Sequence, residues 1–443
     1  MLLIGNGKVV TRNKNDEFYD CGAVLIKDGR ISEVGQSEQL SKKYSSARYI
    51  DAKGGLIMPG LINTHDHIYS ALARGMLRKG YAPTNFLEIL DGMWWAIDNA
   101  LTLEQVESSA LATYMECIKN GVTTIFDHHA SFSAIDDSLF TIADVARRAG
   151  VRSNLCFEVS DRHGRQKMKD AVRENVNFIN YAMNDQSDMI TAMMGLHASF
   201  TLSDDTLAYV RDQKPDGVGY HVHVAEGIED LQDSLRQYGK PVVQRLMDWQ
   251  ILGEKSIAVH CVYLNPTEIR LLRDSDTMMV HNPESNMGNA CGCPPTLKIY
   301  QAGVLSGLGT DGYTQDVIES WKVGNVLHKH HLANPNVAWS ELPDMLFRGN
   351  AAIANRYFKT RLGALEVGAA GDVIISDYNP YTPINKDNVN GHILFGMQGN
   401  SVTTTVINGQ VVMQNRELIT LDEEKITAQI RSSAAELWGV LNE

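Results

Sequence analysis

The 443-residue chain is longer than the roughly 250 to 300 residues that one hydrophobic core supports, so a barrel-sized domain with a smaller companion is expected. Hydrophobic residues at 44% and charged residues at 21% exclude extended disorder. A formal net charge of −13, with no block rich in Lys or Arg, excludes nucleic acid and anionic membrane as natural partners and favours a small, neutral or weakly charged substrate.

The chain opens Met1-Leu-Leu-Ile-Gly-Asn-Gly-Lys8, with no basic region before an apolar run that stops at Ile4, so no secretory leader is read there. No apolar stretch reaches the roughly 18 to 20 residues needed to span a bilayer, and a cytoplasmic setting is expected. Residues 2–10, 22–34 and 49–57 read as short strands, with Asp28-Gly29 marking a hairpin. Residues 372–376 and 402–412 mirror them at the far end, with a second hairpin at Asn408-Gly409. Neither piece carries enough apolar surface to fold alone, so residues 1–57 and 360–443 are expected to combine into one small β-sandwich domain.

Across residues 58–359 the pattern becomes apolar strand, turn and amphipathic helix, repeated. Strand candidates are the segment before His65 and residues 121–127, 151–158, 189–197, 217–223, 256–260, 277–281 and 303–309. Stretches with helical periodicity, such as 136–148, 167–182 and 266–273, separate many of them. Alternating strands and helices imply a parallel sheet, and this number of strands implies an α/β fold of the closed (β/α)8 TIM-barrel type, with active groups at the C-terminal strand ends. Residues 69–101 interrupt the rhythm. An excursion this long at the active end of a barrel covers or shapes a pocket, leaving Trp94 and Trp95 either to stack on a substrate or to pack a lid or subunit contact.

The chemistry-bearing residues fall at those strand ends. His65 and His67 stand two apart in extended chain, so both imidazoles point to one side and can share an ion. His223 and Glu226 follow the fifth strand, His260 ends the sixth and Asp311 follows the eighth. His65, His67, His223 and Asp311 can supply the ligands of one divalent ion, Zn2+ foremost and Fe2+ as the alternative. Such sites bring the pKa of water from about 15.7 toward 7. Glu226 is placed to take a water proton and pass it to a leaving amine or ring nitrogen. His260 is expected to hydrogen-bond the water or the developing oxyanion, and Asp311 to share a proton with the attacking water. His128 and His129 close the second strand, and Arg162 and His163 follow the third; each faces the pocket or serves a structural role. Six cysteines read as buried thiols, and Cys291-Gly-Cys293 lacks a second Cys or His pair for a metal site.

Together Pro59-Gly-Leu-Ile-Asn-Thr-His-Asp-His67, His221-Val-His-Val-Ala-Glu226, His260-Cys-Val262, His281-Asn-Pro-Glu-Ser-Asn286 and Gly309-Thr-Asp-Gly312 resemble the amidohydrolase superfamily, in the branch holding guanine deaminase, adenosine-type deaminases and triazine hydrolases. The resemblance covers nearly the whole chain. It implies one metal on His65, His67, His223 and Asp311, with Glu226 and His260 assisting the water, and His197 as a substrate-contacting residue. Relatives with two metals use a carboxylated lysine on the fourth strand, whereas Met189-Ile-Thr-Ala-Met-Met-Gly-Leu-His197 has no lysine, so a mononuclear site is expected. The implied activity is hydrolysis of a C–N bond in a purine-like or related nitrogen heterocycle by a deaminase. Opening of a cyclic amide is the alternative within enzymes, and a metal-binding scaffold without turnover the alternative outside them. A homodimer is expected from the resemblance.

Overall fold

The computed structural model describes residues 1–442. The first five strands, β1 (Leu2–Val10), β2 (Phe18–Lys27), β3 (Arg30–Gln36), β4 (Arg48–Asp51) and β5 (Leu56–Pro59), join the last four, β15 (Val373–Ser376), β16 (Val402–Ile407), β17 (Gln410–Gln414) and β18 (Glu417–Leu418), in one nine-stranded sheet. The two ends of the chain meet where β5 pairs antiparallel with β15. Alternation along β1 sends Leu2 and Ile4 into a core shared with Ile26, Val373 and Val406, while Leu3 faces a second cluster with Leu25 and Leu40; irregular register between Ile4 and Val9 returns Val9 to the first core. Asn408 (φ 49°) and Gly409 (φ 77°) form the turn between β16 and β17, the paired positive φ values that a two-residue hairpin demands.

Between these strands lies the barrel: β6 (Leu61–Asp66), β7 (Val122–His129), β8 (Arg152–Phe157), β9 (Ile190–Ala192), β10 (Met194–Ala198), β11 (Tyr220–Val224), β12 (Ile257–His260), β13 (Met278–His281) and β14 (Ser306–Leu308). They pair in parallel as two sheets, β6 to β9 and β10 to β14. Parallel bridges Asp66 to Asp311 and Val159 to Leu196 close the ring. The expected fourth strand, 189–197, is thus split at Met193, which points into the barrel interior with Ile62, Phe126, Cys156, Val259 and Val280. Helices on the outside bury their apolar stripes against the strands. Helix Leu103–Lys119 is stopped at its N-terminus by a capping box of Thr102 and Gln105.

Two helices were not legible as such. The excursion after β6 contains a helical run from Phe86 to Asp98 with a wide i→i+5 turn at Leu90–Trp94. The final helix, Glu423–Asn442, lies on the barrel rather than on the nine-stranded sheet, with Trp438 Nε1 donating to Leu72 O (2.7 Å) and Ser433 bonded to Ser108 (2.8 Å). Among the described residues no helix is long and apolar enough to cross a membrane.

Candidate metal centre and pocket

Period-two geometry carries His65 and His67 from the end of β6 to one side. His67 Nδ1 donates to His128 O (2.6 Å) and His223 Nδ1 to His197 O (3.0 Å). A carbonyl can only accept, so each ring keeps its lone pair at Nε2, and these two Nε2 atoms face each other at 3.2 Å. Two neutral acceptors at that separation repel unless a cation lies between them. His65 Nδ1 pairs with His221 Nε2 at 2.9 Å, which leaves His65 Nε2 buried without a partner. Asp311 completes the set, Oδ1 3.3 Å from His67 Nε2 and Oδ2 4.0 Å from His65 Nε2. Ligand atoms of His65, His67 and His223 lie within 4.8 Å of one another, as do those of His65, His260 and Asp311.

Burial, reinforced by the neighbouring imidazoles, drives His65 and His223 well below the ordinary imidazole pKa, so both offer lone pairs at neutral pH. Asp311 Oδ1 accepts from the Gly312 N–H (2.6 Å), a bond that favours the carboxylate form. Neutral imidazoles with one carboxylate, orphaned nitrogens and converging lone pairs fit a single divalent ion. Strand-end geometry aims these groups. Gly309 is required because a Cβ there would stand 2.8 Å from His65 Cβ and from His65 O. Asp311 takes the left-handed conformation (φ 57°) as its N–H donates to His65 O (3.1 Å).

Beside this set, His260 Nε2 lies 3.4 Å from Glu226 Oε2 and 3.5 Å from Asp311 Oδ2. Asn286 Nδ2 donates to His260 Nδ1 (2.9 Å), so the imidazole proton sits on Nε2, toward the two carboxylates. Burial moves His260 down to about 4, which keeps the ring neutral. The Glu226 carboxyl is pushed well above its ordinary pKa, by burial first and by the charge of Asp311 second, and it accepts from the Cys291 thiol (3.8 Å). Asp66, between the two ligands, turns to Asn63, Thr310 and Gln315 instead.

A cavity partly open to solvent leads to His67, His223, Glu226 and Asp311. Its walls include Trp94, Trp95, His197, Phe86 and Glu158. His197 Nδ1 donates to Thr201 Oγ1 (2.6 Å), whose own proton goes to Ala198 O, leaving His197 Nε2 as an acceptor. The other expected contacts lie behind this wall. His128 packs under His223 with ring centroids 4.6 Å apart, Nε2 bonded to Leu196 O. Arg162 backs the wall, and His129 and His163 are occupied by Ser131 and the Phe132 ring. Glu158 was not singled out from sequence. Its one signal was that it is the only carboxylate in residues 151–158; its partners come from distant segments.

Residues 56–412 match the Amidohydrolase family. The 5'-deoxyadenosine deaminase of Methanosarcina mazei is 31% identical, with 100% of this chain and 99% of the relative covered. The 5-methylthioadenosine/S-adenosylhomocysteine deaminase of Thermococcus sibiricus is 32% identical, with 93% and 94% covered. Among solved structures, a zinc-bound adenosine deaminase from Xanthomonas campestris superposes with a TM-score of 0.84 over 98% of both chains, at 22% identity. With a family match spanning the barrel and the strands of the nine-stranded sheet that flank it, and a relative matched over essentially its whole length, the chain belongs to the amidohydrolase family.

Proposed function

We propose that the protein is a deaminase of a purine-like heterocycle, replacing an exocyclic amino group by a carbonyl oxygen with release of ammonia. The observation that carries this reading is the cluster of Glu226, His260 and Asp311 beside the ligand set, at the floor of an aromatic-walled cavity. That two relatives are named as deaminases of adenosine-type compounds supports the choice of substrate. His65, His67, His223 and Asp311 would hold one ion, zinc before iron. When bound, the ion supplies Lewis acidity that makes a water proton removable near neutrality.

The chain's own groups then divide the proton work. Glu226 Oε2 takes the proton from water and returns it to the ring nitrogen or the departing amine, and its raised proton affinity suits both halves of that transfer. His260 Nε2–H donates to the oxygen being added, in the tautomer that Asn286 imposes. Asp311 accepts the second water proton and gives it up to whichever of the ring nitrogen and the departing amine Glu226 has not protonated, so that one water proton ends on the ring nitrogen and one on ammonia and the exchange of amine for carbonyl balances. Trp94 and Trp95 bind the ring by stacking and keep bulk water out.

The test is ammonia release from a panel of aminopurines, nucleosides, pyrimidines and cyclic amides by wild type and Glu226→Gln. We expect the variant to lose about 10²- to 10⁴-fold in kcat while keeping its metal. A new carboxylate without ammonia would replace deamination by ring opening, and two equally inert, equally metallated proteins would indicate a scaffold.

A further inference from the structure

The cavity wall holds a carboxylate for which the reaction above has no use. Glu158 follows β8 and is 3% exposed. Its Oε1 accepts from Arg162 Nη2 at 2.8 Å, and the same nitrogen bonds Asp98 Oδ2 at 2.8 Å. Arg162 is itself clamped between aromatic faces, 4.5 Å from the Trp95 ring centroid and 4.8 Å from that of Phe132. Backbone bonds Val159 N to Gly195 O (3.2 Å) and His197 N to Val159 O (3.0 Å) fix Glu158 beside His197. The carboxylate is therefore rigidly mounted, with three elements converging on it.

The other oxygen, Oε2, has no donor among the described residues. Its nearest titratable neighbour is His128 Nδ1 at 3.9 Å, and His128 spends its proton through Nε2 on Leu196 O (3.0 Å), so both atoms are acceptors. The buried ion pair with the Arg162 guanidinium at 2.8 Å keeps Glu158 an anion. His197 Nε2 is a second acceptor on the same wall. With no protein donor, the anionic Oε2 of Glu158 opens on the cavity, where only water can satisfy it until a substrate displaces that water, so a bound substrate must offer a donor in its place. A second cation answers this poorly. Although His128, Glu158 and His223 converge, His223 donates through Nδ1 to His197 and turns Nε2 to His67, leaving two free ligands.

We propose that Glu158 is a specificity-determining residue, and that its free oxygen accepts a hydrogen bond from an N–H or O–H donor of the substrate on the β8–β10 side of the pocket. The chemistry is common to the imidazole N–H of a free purine base and to a ribose hydroxyl of a nucleoside. A substrate offering only ring-nitrogen lone pairs there is rejected, since acceptor would meet acceptor. The proposal rests on the reading above only for where the reacting edge lies; binding is measurable without turnover.

The experiment is calorimetric binding, with ammonia release in parallel, using the metal-loaded full chain. Adenine and guanine are compared with their 9-methyl derivatives, which block the imidazole N–H, and adenosine with 2',3'-dideoxyadenosine. In wild type we expect one kind of pair to be discriminated by roughly 10- to 100-fold, as for a hydrogen bond to a charged group; which kind identifies the donor. Glu158→Gln should bring that ratio to within about threefold of unity at unchanged metal content. Should that variant fail to fold, Glu158→Asp, which keeps the charge and shortens the reach, should shrink the ratio. Equal binding within every pair by wild type, a ratio untouched by the substitution, or a loss of metal on substitution would each overturn the proposal. Discrimination without ammonia from any compound would instead sink the deaminase reading and leave this one standing.

Discussion

At the scale of single residues, the informative quantity is where each imidazole puts its proton. His67 and His223 spend theirs on the carbonyls of His128 and His197, and His260 keeps its proton on Nε2 because Asn286 donates to Nδ1. The candidate ligand histidines thereby arrive with lone pairs aimed inward, and the groups that position them matter as much as the rings themselves. Chelation should therefore leave two repelling nitrogens at the floor of the pocket and lower Tm, with recovery on adding zinc; an ion present at about 100 times its Kd contributes about 2.7 kcal/mol. His65→Ala should reduce metal content and activity together. Unchanged metal by elemental analysis would remove His65 from the site. The candidate ligands were legible because His65-x-His67, His223 and Asp311 occur jointly at strand ends of one barrel, whereas a lone strand-end histidine such as His129 is held by a structural hydrogen bond. Glu158 was not legible, nor were the roles of His221 and Asn286 within their motifs, since these lie in partners far along the chain, such as Asp98 for Glu158 through Arg162.

At the scale of elements, the barrel strands were readable from apolar runs of strand length, and two features were hidden by tertiary context. The fourth strand is split at Met193, where its pairing passes from β8 (Met193 N to Leu155 O, 3.2 Å) to β11 (Met194 N to Gly219 O, 3.0 Å). The run Phe86 to Asp98 carries Gly92 and a wide turn, and its apolar residues serve a pocket rather than an outer face, so helical periodicity is blurred there. The wide turn has a use: such turns offset successive side chains from the regular spiral, and here it presents both Trp94 and Trp95 to the cavity. Trp95 lies over Arg162 and stands 6.0 Å from His197, ring centroid to ring centroid, bridging the lid and the wall. Trp95→Ala should raise KM by roughly 5- to 150-fold, the range for losing one ring–base stack, with metal content unaltered and Trp95→Phe recovering most of the loss. A KM equal to wild type would show that Trp95 merely packs the lid.

At the scale of the whole molecule, the question is what ties the barrel to a sheet whose strands come from both ends of the chain. The contact is polar as well as apolar. Arg152, which opens β8 at the end of the barrel remote from the pocket, pairs with Asp372 at the entry to β15, with side chains 1% and 5% exposed. Asp372 also accepts from Asn408 N (2.7 Å) and gives its carbonyl to Gly60 N (3.0 Å), so one aspartate joins the hairpin of the sheet to the start of β6. Arg152 further donates to Asp188 O (3.2 Å), and the Asp188 carboxylate accepts from the N–H groups of Lys359 and Thr360 where the chain leaves the barrel. Removing one partner of a buried pair strands the other, which costs about 3 to 5 kcal/mol. Arg152→Ala should accordingly lower Tm by several degrees and broaden or split the calorimetric transition, whereas KM and metal content of the folded fraction stay at wild-type values because the pocket lies at the opposite strand ends. Arg152→Ala with an unchanged transition would mean that apolar burial alone, through contacts such as Gly121 against Ile374 and Val402, couples sheet to barrel.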